Sequence, residues 1–199
     1  MSKVVQIANK VVGEDKNCFI TAEVGINHNG SLELAKKLID LAVGTGCDAV
    51  KFQKRTVDVV YTKEELEKER ESVFGFTNGD LKRGLEFGLE EYKEIDNYCK
   101  KKGIIWYASC WDKGSVDFIE QFNPPCYKIA SASLTDDELL KYTKSKGKPI
   151  FLATGMSTVE QIDHAVEILG TDNLVIYHCT STYPTDNTEI NLRVIPFLK

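Results

Sequence analysis

FITAEVGINHNGS, residues 19–31, is the stretch on which the fold turns. It opens as an apolar, β-leaning run (Phe19, Ile20, Ala22). It then releases Glu23 and the turn formers Asn27-His28-Asn29-Gly30, and Ser31 stands where a helix cap belongs. A strand that ends in a carboxylate, a glycine turn and a helix cap is the upper edge of a β–α unit. Leu32, Ala35, Leu38, Ile39 and Ala42 follow at helical spacing, with Gly44 and Gly46 to end the helix.

The same grammar recurs along the chain. Residues 49–53 (AVKFQ) end in Lys51 and Gln53, residues 104–109 (IIWYAS) in Ser109, and residues 126–131 (CYKIAS) in Lys128 and Ser131. Residues 149–154 (PIFLAT) end in Thr154, and residues 174–180 (LVIYHCT) in His178 and Thr180. Short apolar runs that each deliver polar groups at their C-terminal ends are how an α/β barrel builds an active site.

Residues 4–12 (VVQIANKVV) read as a small hairpin ahead of the first barrel strand. The connection from Lys54 to Gly88 is long and charged, and its length predicts structure of its own. A helix is expected over residues 64–71, a turn at Asn78-Gly79, and a further helix over 90–102 closed by Gly103. Beyond it, helices are predicted over 115–121, over 135–146 from a Thr135/Glu138 capping box, and over 158–169 with Ser157 as cap. Residues 180–199 read as a loop and the first turn of a sixth helix. A full (β/α)₈ barrel takes about 250 residues. The expectation is therefore one α/β domain over residues 1–199, a TIM-type barrel cut after about six βα units.

Composition narrows the function. The net charge of −5, with no basic stripe carrying interleaved aromatics, argues against a nucleic-acid partner. No apolar run approaches the roughly 20 residues of a membrane span, and MSKVVQIANK lacks the core of a signal peptide. The cytoplasm is the expected compartment. None of the six cysteines forms a C-x-x-C pair. Cys18, Cys126 and Cys179 are expected inside strands, and Cys110 at an accessible strand end. His28 and His178 lack ligand-spaced partners, so a metal pair made from them is the weaker reading, and His164 reads as plain surface.

Lys51 and Lys128 at strand ends, with Ser109, Ser131, Ser133 and Thr154 beside them, suit a phosphorylated or carboxylated anion. Ammonium groups and fixed donors replace the hydration such an anion loses. Glu23 at the end of the first strand is a poor core residue, which favours a polar role.

The segments AEVGINHNGS (22–31), DAVKFQ (48–53), YKIAS (127–131), ATGMS (153–157), HCTSTYP (178–184) and NLRVI (191–195) resemble the sialic acid synthase family, in order along essentially the whole chain. The resemblance implies condensation of phosphoenolpyruvate with N-acetylmannosamine or a related amino sugar, giving a nonulosonic acid and phosphate. It also implies a TIM barrel followed by a small antifreeze-like domain, a homodimer, and a divalent metal, manganese. By the same resemblance Lys51, Ser109, Lys128 and Ser131 match phosphoenolpyruvate contacts, and Gln53 accompanies Lys51. Glu23 matches the carboxylate that handles the sugar and the reacting water, and Tyr183 and Asn78 match sugar contacts. Ser133, Ala153 and Ser181 depart from residues common in bacterial members. The two metal histidines of the family fall in segments beyond Lys199. Residues 1–199 alone are accordingly expected to form no product. A Schiff-base aldolase using a strand-end lysine and a non-catalytic anion-binding piece are the competing readings.

Overall fold

The computed structural model describes residues 4–198. Two compact units make up the chain, Cys18–Pro125 and Met1–Asn17 with Cys126–Lys199. At the start, β1 (Val4–Ile7) and β2 (Lys10–Gly13) form the predicted antiparallel hairpin, with Val5 opposite Val12.

In the unit Cys18–Pro125, β3 (Thr21–Gly25) begins later than the apolar run does, because the Ile20 N–H is taken by the Asp48 carboxylate at 2.8 Å. Helix α1 (Leu32–Gly44) starts where expected: Ser31 Oγ accepts from the Leu34 N–H at 3.2 Å, and Ala35, Ile39 and Ala42 are its buried stripe. Strand β4 (Ala49–Lys54) is buried on both faces over its first four residues, as a central parallel strand is.

The long connection differs from its prediction. After α2 (Val57–Val60), the charged run gives only the short α3 (Lys63–Glu67), because Lys68 turns extended at ψ 134. Glu69–Ser72 is then strand β5, paired antiparallel with β6 (Gly75–Thr77). Cross-strand pairing overrides the helix propensity of the glutamates there. Asn78-Gly79 is not a turn but the first residues of α4 (Asn78–Gly84). A capping box joins Thr77 and Asp80, whose side chains each bond the other's backbone N–H, at 3.1 and 3.0 Å.

Helix α5 (Leu89–Lys102) ends on Gly103, whose φ of 70° is the left-handed cap glycine accepts readily. Strand β7 (Ile105–Cys110) runs one residue past its predicted end, so Cys110 is buried, and burial pushes its thiol well above the ordinary value. Before α6 (Lys113–Glu120), Asp112 accepts from Thr56 N, Thr56 Oγ1, Ser115 N and Ser115 Oγ at 2.6–3.0 Å, which ties the end of β4 to the start of that helix. The three parallel strands lie in the order β3, β4, β7. Phe52 packs edge-on against Tyr92 and Trp106 behind them, and Tyr92 against Phe118.

In the other unit, β8 (Tyr127–Ile129), β9 (Ile150–Ala153) and β10 (Leu174–Tyr177) are parallel neighbours, with Lys128 opposite Phe151 and Tyr177 opposite Ala153. Between them stand a 3₁₀ turn at Ser131–Ser133, α7 (Asp137–Lys144) and α8 (Val159–Leu169); the short α9 (Val194–Phe197) follows β10. Ile129, Leu140, Ile150, Leu152, Ile162 and Leu169 belong to its core. Both helix caps differ from their predictions by one residue. Asp136, not Thr135, accepts from Leu139 N, and Thr158, not Ser157, caps α8 in a box with Gln161. Ser157 Oγ instead donates to Gly155 O. Cys18, Cys126 and Cys179 lie outside the strands, since each falls beyond the hydrogen-bonded part of its apolar run.

The chain is thus α/β, with helices alternating with six parallel strands, three in each unit. No helix among the described residues is long and apolar enough to cross a membrane.

Candidate active site

Parallel register puts the first group of polar side chains on one face. Glu23 lies opposite Lys51 across β3 and β4, and Gln53 lies opposite Ser109 across β4 and β7. Since side chains alternate along a strand, Lys51 and Gln53 share the face that Glu23 and Ser109 occupy, while Phe52 and Lys54 point the other way. The Lys51 ammonium sits 2.8 Å from Glu23 Oε2 and donates to Ser109 Oγ at 3.0 Å. It is buried, at 6% exposure, whereas half of the Glu23 side chain is exposed.

Burial lowers the Lys51 pKa, and the Glu23 carboxylate opposes that shift; nearby Arg55 adds to the lowering by like-charge repulsion. The ammonium is therefore held by a carboxylate at the rim of the cluster, with a hydroxyl behind it. Gly25 closes the group. Its φ is +35°, and a Cβ there would stand 2.6 Å from Glu23 Oε1 and 3.1 Å from Gln53 Nε2.

Arg55 was absent from the expected site. It continues the alternation of Lys51 and Gln53, and that period of two is the signal that finds it. Its guanidinium is buried, donates to Gln53 Oε1 and to the Tyr61 hydroxyl (2.7 Å), and lies over the Trp111 ring. Its Nε is 2.7 Å from Glu86 Oε1, although the N–H is not aimed at that oxygen. Glu86 also contacts Lys54 (3.4 Å) and accepts from the Arg55 backbone N–H; burial raises its pKa against the pull of both cations.

His28 is buried and stacked on Phe87 at 4.0 Å. Its Nδ1 accepts from the Gly30 N–H at 3.1 Å. Burial lowers its pKa to about 4. It acts as a pin inside the first βα turn. His164 is exposed, as expected, and lies 3.0 Å from Asp137. Among the described residues, no group of three His, Cys, Asp or Glu side chains is placed to hold a metal ion.

Asn78 is also engaged locally, donating to Glu65 O at 3.1 Å and accepting from Arg70 at 3.4 Å. In the unit that contains Cys126–Lys199, Ser131 Oγ accepts from the Gly155 N–H at 3.0 Å, which leaves its own proton to donate. A Cβ on Gly155 would meet Ser181 Oγ at 2.3 Å and Ser131 Oγ at 3.0 Å, so the two hydroxyls converge over a bare backbone. Thr154 is different: its hydroxyl donates to Tyr177 O at 2.8 Å and holds β10. Lys128 is half-buried on β8, Ser133 and Ala153 are buried, and Tyr183 is 92% exposed.

A buried ammonium with a carboxylate and hydroxyls can bind a small anion, and the accessible carboxylate can take a proton from water. Residues 38–199 match the NeuB family. Over 188 residues the chain is 35% identical to the N-acetylneuraminate-9-phosphate synthase of Homo sapiens, covering 92% of this chain and 52% of that protein. It is 32% identical over 196 residues to the N,N'-diacetyllegionaminic acid synthase of Legionella pneumophila, covering 94% and 55%. A solved sialic acid synthetase from Leptospira borgpetersenii serovar Hardjo-bovis, in complex with citrate, superposes with a TM-score of 0.88 at 26% identity, covering all of this chain and 66% of that one. The chain spans about half the length of the curated relatives it matches.

Proposed function

The chain belongs to the NeuB family, and on that premise we propose that it carries the phosphoenolpyruvate-binding half of a nonulosonic acid synthase. The observation that carries this reading is Lys51, buried between Glu23 at 2.8 Å and Ser109 at 3.0 Å at the C-terminal ends of parallel strands. Relatives named for N-acetylneuraminate-9-phosphate and diacetyllegionaminic acid synthesis support the product class. The reaction joins the methylene carbon of phosphoenolpyruvate to the aldehyde carbon of N-acetylmannosamine or a related amino sugar. Water then adds to the carbon bearing the phosphate, and phosphate leaves.

In this reading Lys51, Ser109, Lys128 and Ser131 hold the anion and stabilise negative charge on the leaving phosphate. Gln53 adds a neutral donor. Glu23 takes the proton from the adding water, and Tyr183 and Asn78 serve the sugar, with Thr154 supporting the strand end. A divalent metal, Mn²⁺, is part of the proposal. Among the described residues no group of three His, Cys, Asp or Glu side chains is placed to hold it, and every step above is written on this chain's own side chains. By the same reading the protein works in the cytoplasm as a homodimer with a closed (β/α)₈ barrel, and residues 1–199 alone bind phosphoenolpyruvate without forming product.

Two measurements on the purified chain test this. Phosphoenolpyruvate titrated calorimetrically should bind, and Lys128→Ala should weaken binding by about 2 kcal/mol or more, as for loss of a charged partner. Borohydride reduction in the presence of pyruvate should leave the protein mass unchanged. A covalent adduct on Lys51 or Lys128 would instead establish the Schiff-base aldolase, and absence of any phosphoenolpyruvate binding would overturn the reading.

A further inference from the structure

Glutamine is an ambiguous residue in a binding site, because its side-chain oxygen accepts and its nitrogen donates, and the two ends exchange by a simple flip. At Gln53 the ambiguity is removed by a neighbour. Arg55 stands two residues on, on the same face of the chain, and its guanidinium donates to Gln53 Oε1. A guanidinium has five N–H groups and no acceptor, so the amide cannot turn its NH₂ end toward Arg55 without leaving a buried donor facing a donor. Gln53 Nε2 is thereby directed away from Arg55. It lies beside Gly25, close to the place where Glu23 Oε1 stands.

Arg55 is itself well held. Tyr61 accepts from Nη1, Glu86 faces Nε at 2.7 Å, and the Trp111 ring lies 5.0 Å from the guanidinium carbon. These partners come from separate segments of the unit, so the guanidinium has little freedom to follow a flipped amide.

We infer that Arg55 is a positioning residue: it fixes the Gln53 amide with its two N–H groups facing the Glu23 and Lys51 cluster, and so sets that edge of the site to recognise a ligand acceptor such as a carboxylate or phosphate oxygen. The inference deepens the anion-binding reading and rests on it for the identity of the ligand. The orientation of the amide stands independently.

Four glutamines occur in the chain, Gln6, Gln53, Gln121 and Gln161, so side-chain amide resonances of ¹⁵N-glutamine-labelled protein are few enough to resolve, and Gln53→Leu identifies the pair that belongs to Gln53. In Arg55→Met that pair should move toward free-glutamine shifts, and phosphoenolpyruvate affinity should fall about tenfold. Arg55→Lys, which retains a cationic donor, should restore most of both. Gln53→Glu gives a second arm that keeps an acceptor for Arg55. It should melt at or above the wild-type temperature yet bind phosphoenolpyruvate at least tenfold more weakly, having no N–H to offer. Unmoved Gln53 resonances in Arg55→Met, equal losses in Arg55→Met and Arg55→Lys, or wild-type affinity in Gln53→Glu would each overturn the inference. If the wild type binds no phosphoenolpyruvate, the anion reading fails while the resonance shifts still decide the role of Arg55.

Discussion

Lys51 is buried, and Glu23 opposes the fall in its pKa that burial brings, so the two residues make linked predictions. Glu23→Gln removes the ion pair at 2.8 Å, so the lysine pKa should fall further, which an NMR titration of the lysine side chains reads. An unmoved Lys51 titration would reduce Glu23 to a bystander. His28 makes a prediction about pH. Its pKa is about 4 in the folded protein against an ordinary 6.5, so between those values the unfolded chain binds a proton that the folded chain refuses. Stability from this group is complete above about pH 6.5 and declines as the pH falls toward 4, by at most about 3 kcal/mol. Chemical denaturation at pH 7.5 and 4.5 should show a smaller loss in His28→Asn than in the wild type; equal losses would place the titration elsewhere. At this scale Glu23, Lys51 and Ser109 were legible because a strand end places its own polar residue. The surroundings of His28 were not, since the ring that covers it, Phe87, arrives from the far end of the long connection.

The elements show the same division between local and distant causes. Helices with a regular apolar stripe, such as α1 and α8, lie where their spacing puts them. Charged segments in the long connection do not, because pairing between β5 and β6 decides there. Phe74, in the turn of that hairpin, fits a notch made by two glycines. A Cβ on Gly84 would stand 2.2 Å from Phe74 Cγ, and one on Gly30 would stand 3.0 Å from Phe74 Cζ. Gly84→Ala adds helix propensity of about 1 kcal/mol, but expelling a packed phenylalanine costs roughly 1.5–3 kcal/mol. The variant should therefore be less stable by about 0.5–2 kcal/mol net. Introduced into Phe74→Ala, the same change should become neutral or stabilising, and a double-mutant cycle by urea denaturation measures the difference. Additive effects would show that the notch does not hold the hairpin.

For the whole molecule, the alternation of parallel strands and helices was readable outside the long connection, because each parallel strand is a short apolar run ending in polar residues. Family membership agrees with that reading. The grouping of side chains was only partly readable: register across β3, β4 and β7 brings Glu23, Lys51, Gln53 and Ser109 together, whereas Asn78 and Thr154 bond to nearby backbone that no spacing rule foretells. In the function proposed here, the buried ammonium of Lys51 is the anchor of an anion site. Its most direct test is calorimetric titration of phosphoenolpyruvate into the wild-type chain and Lys51→Ala, side by side at pH 7.5, with both shown to be folded by circular dichroism. If Lys51 anchors the anion, binding is saturable and one-to-one in the wild type and at least thirtyfold weaker in the variant, about 2 kcal/mol. Equal affinities in the two proteins would contradict it.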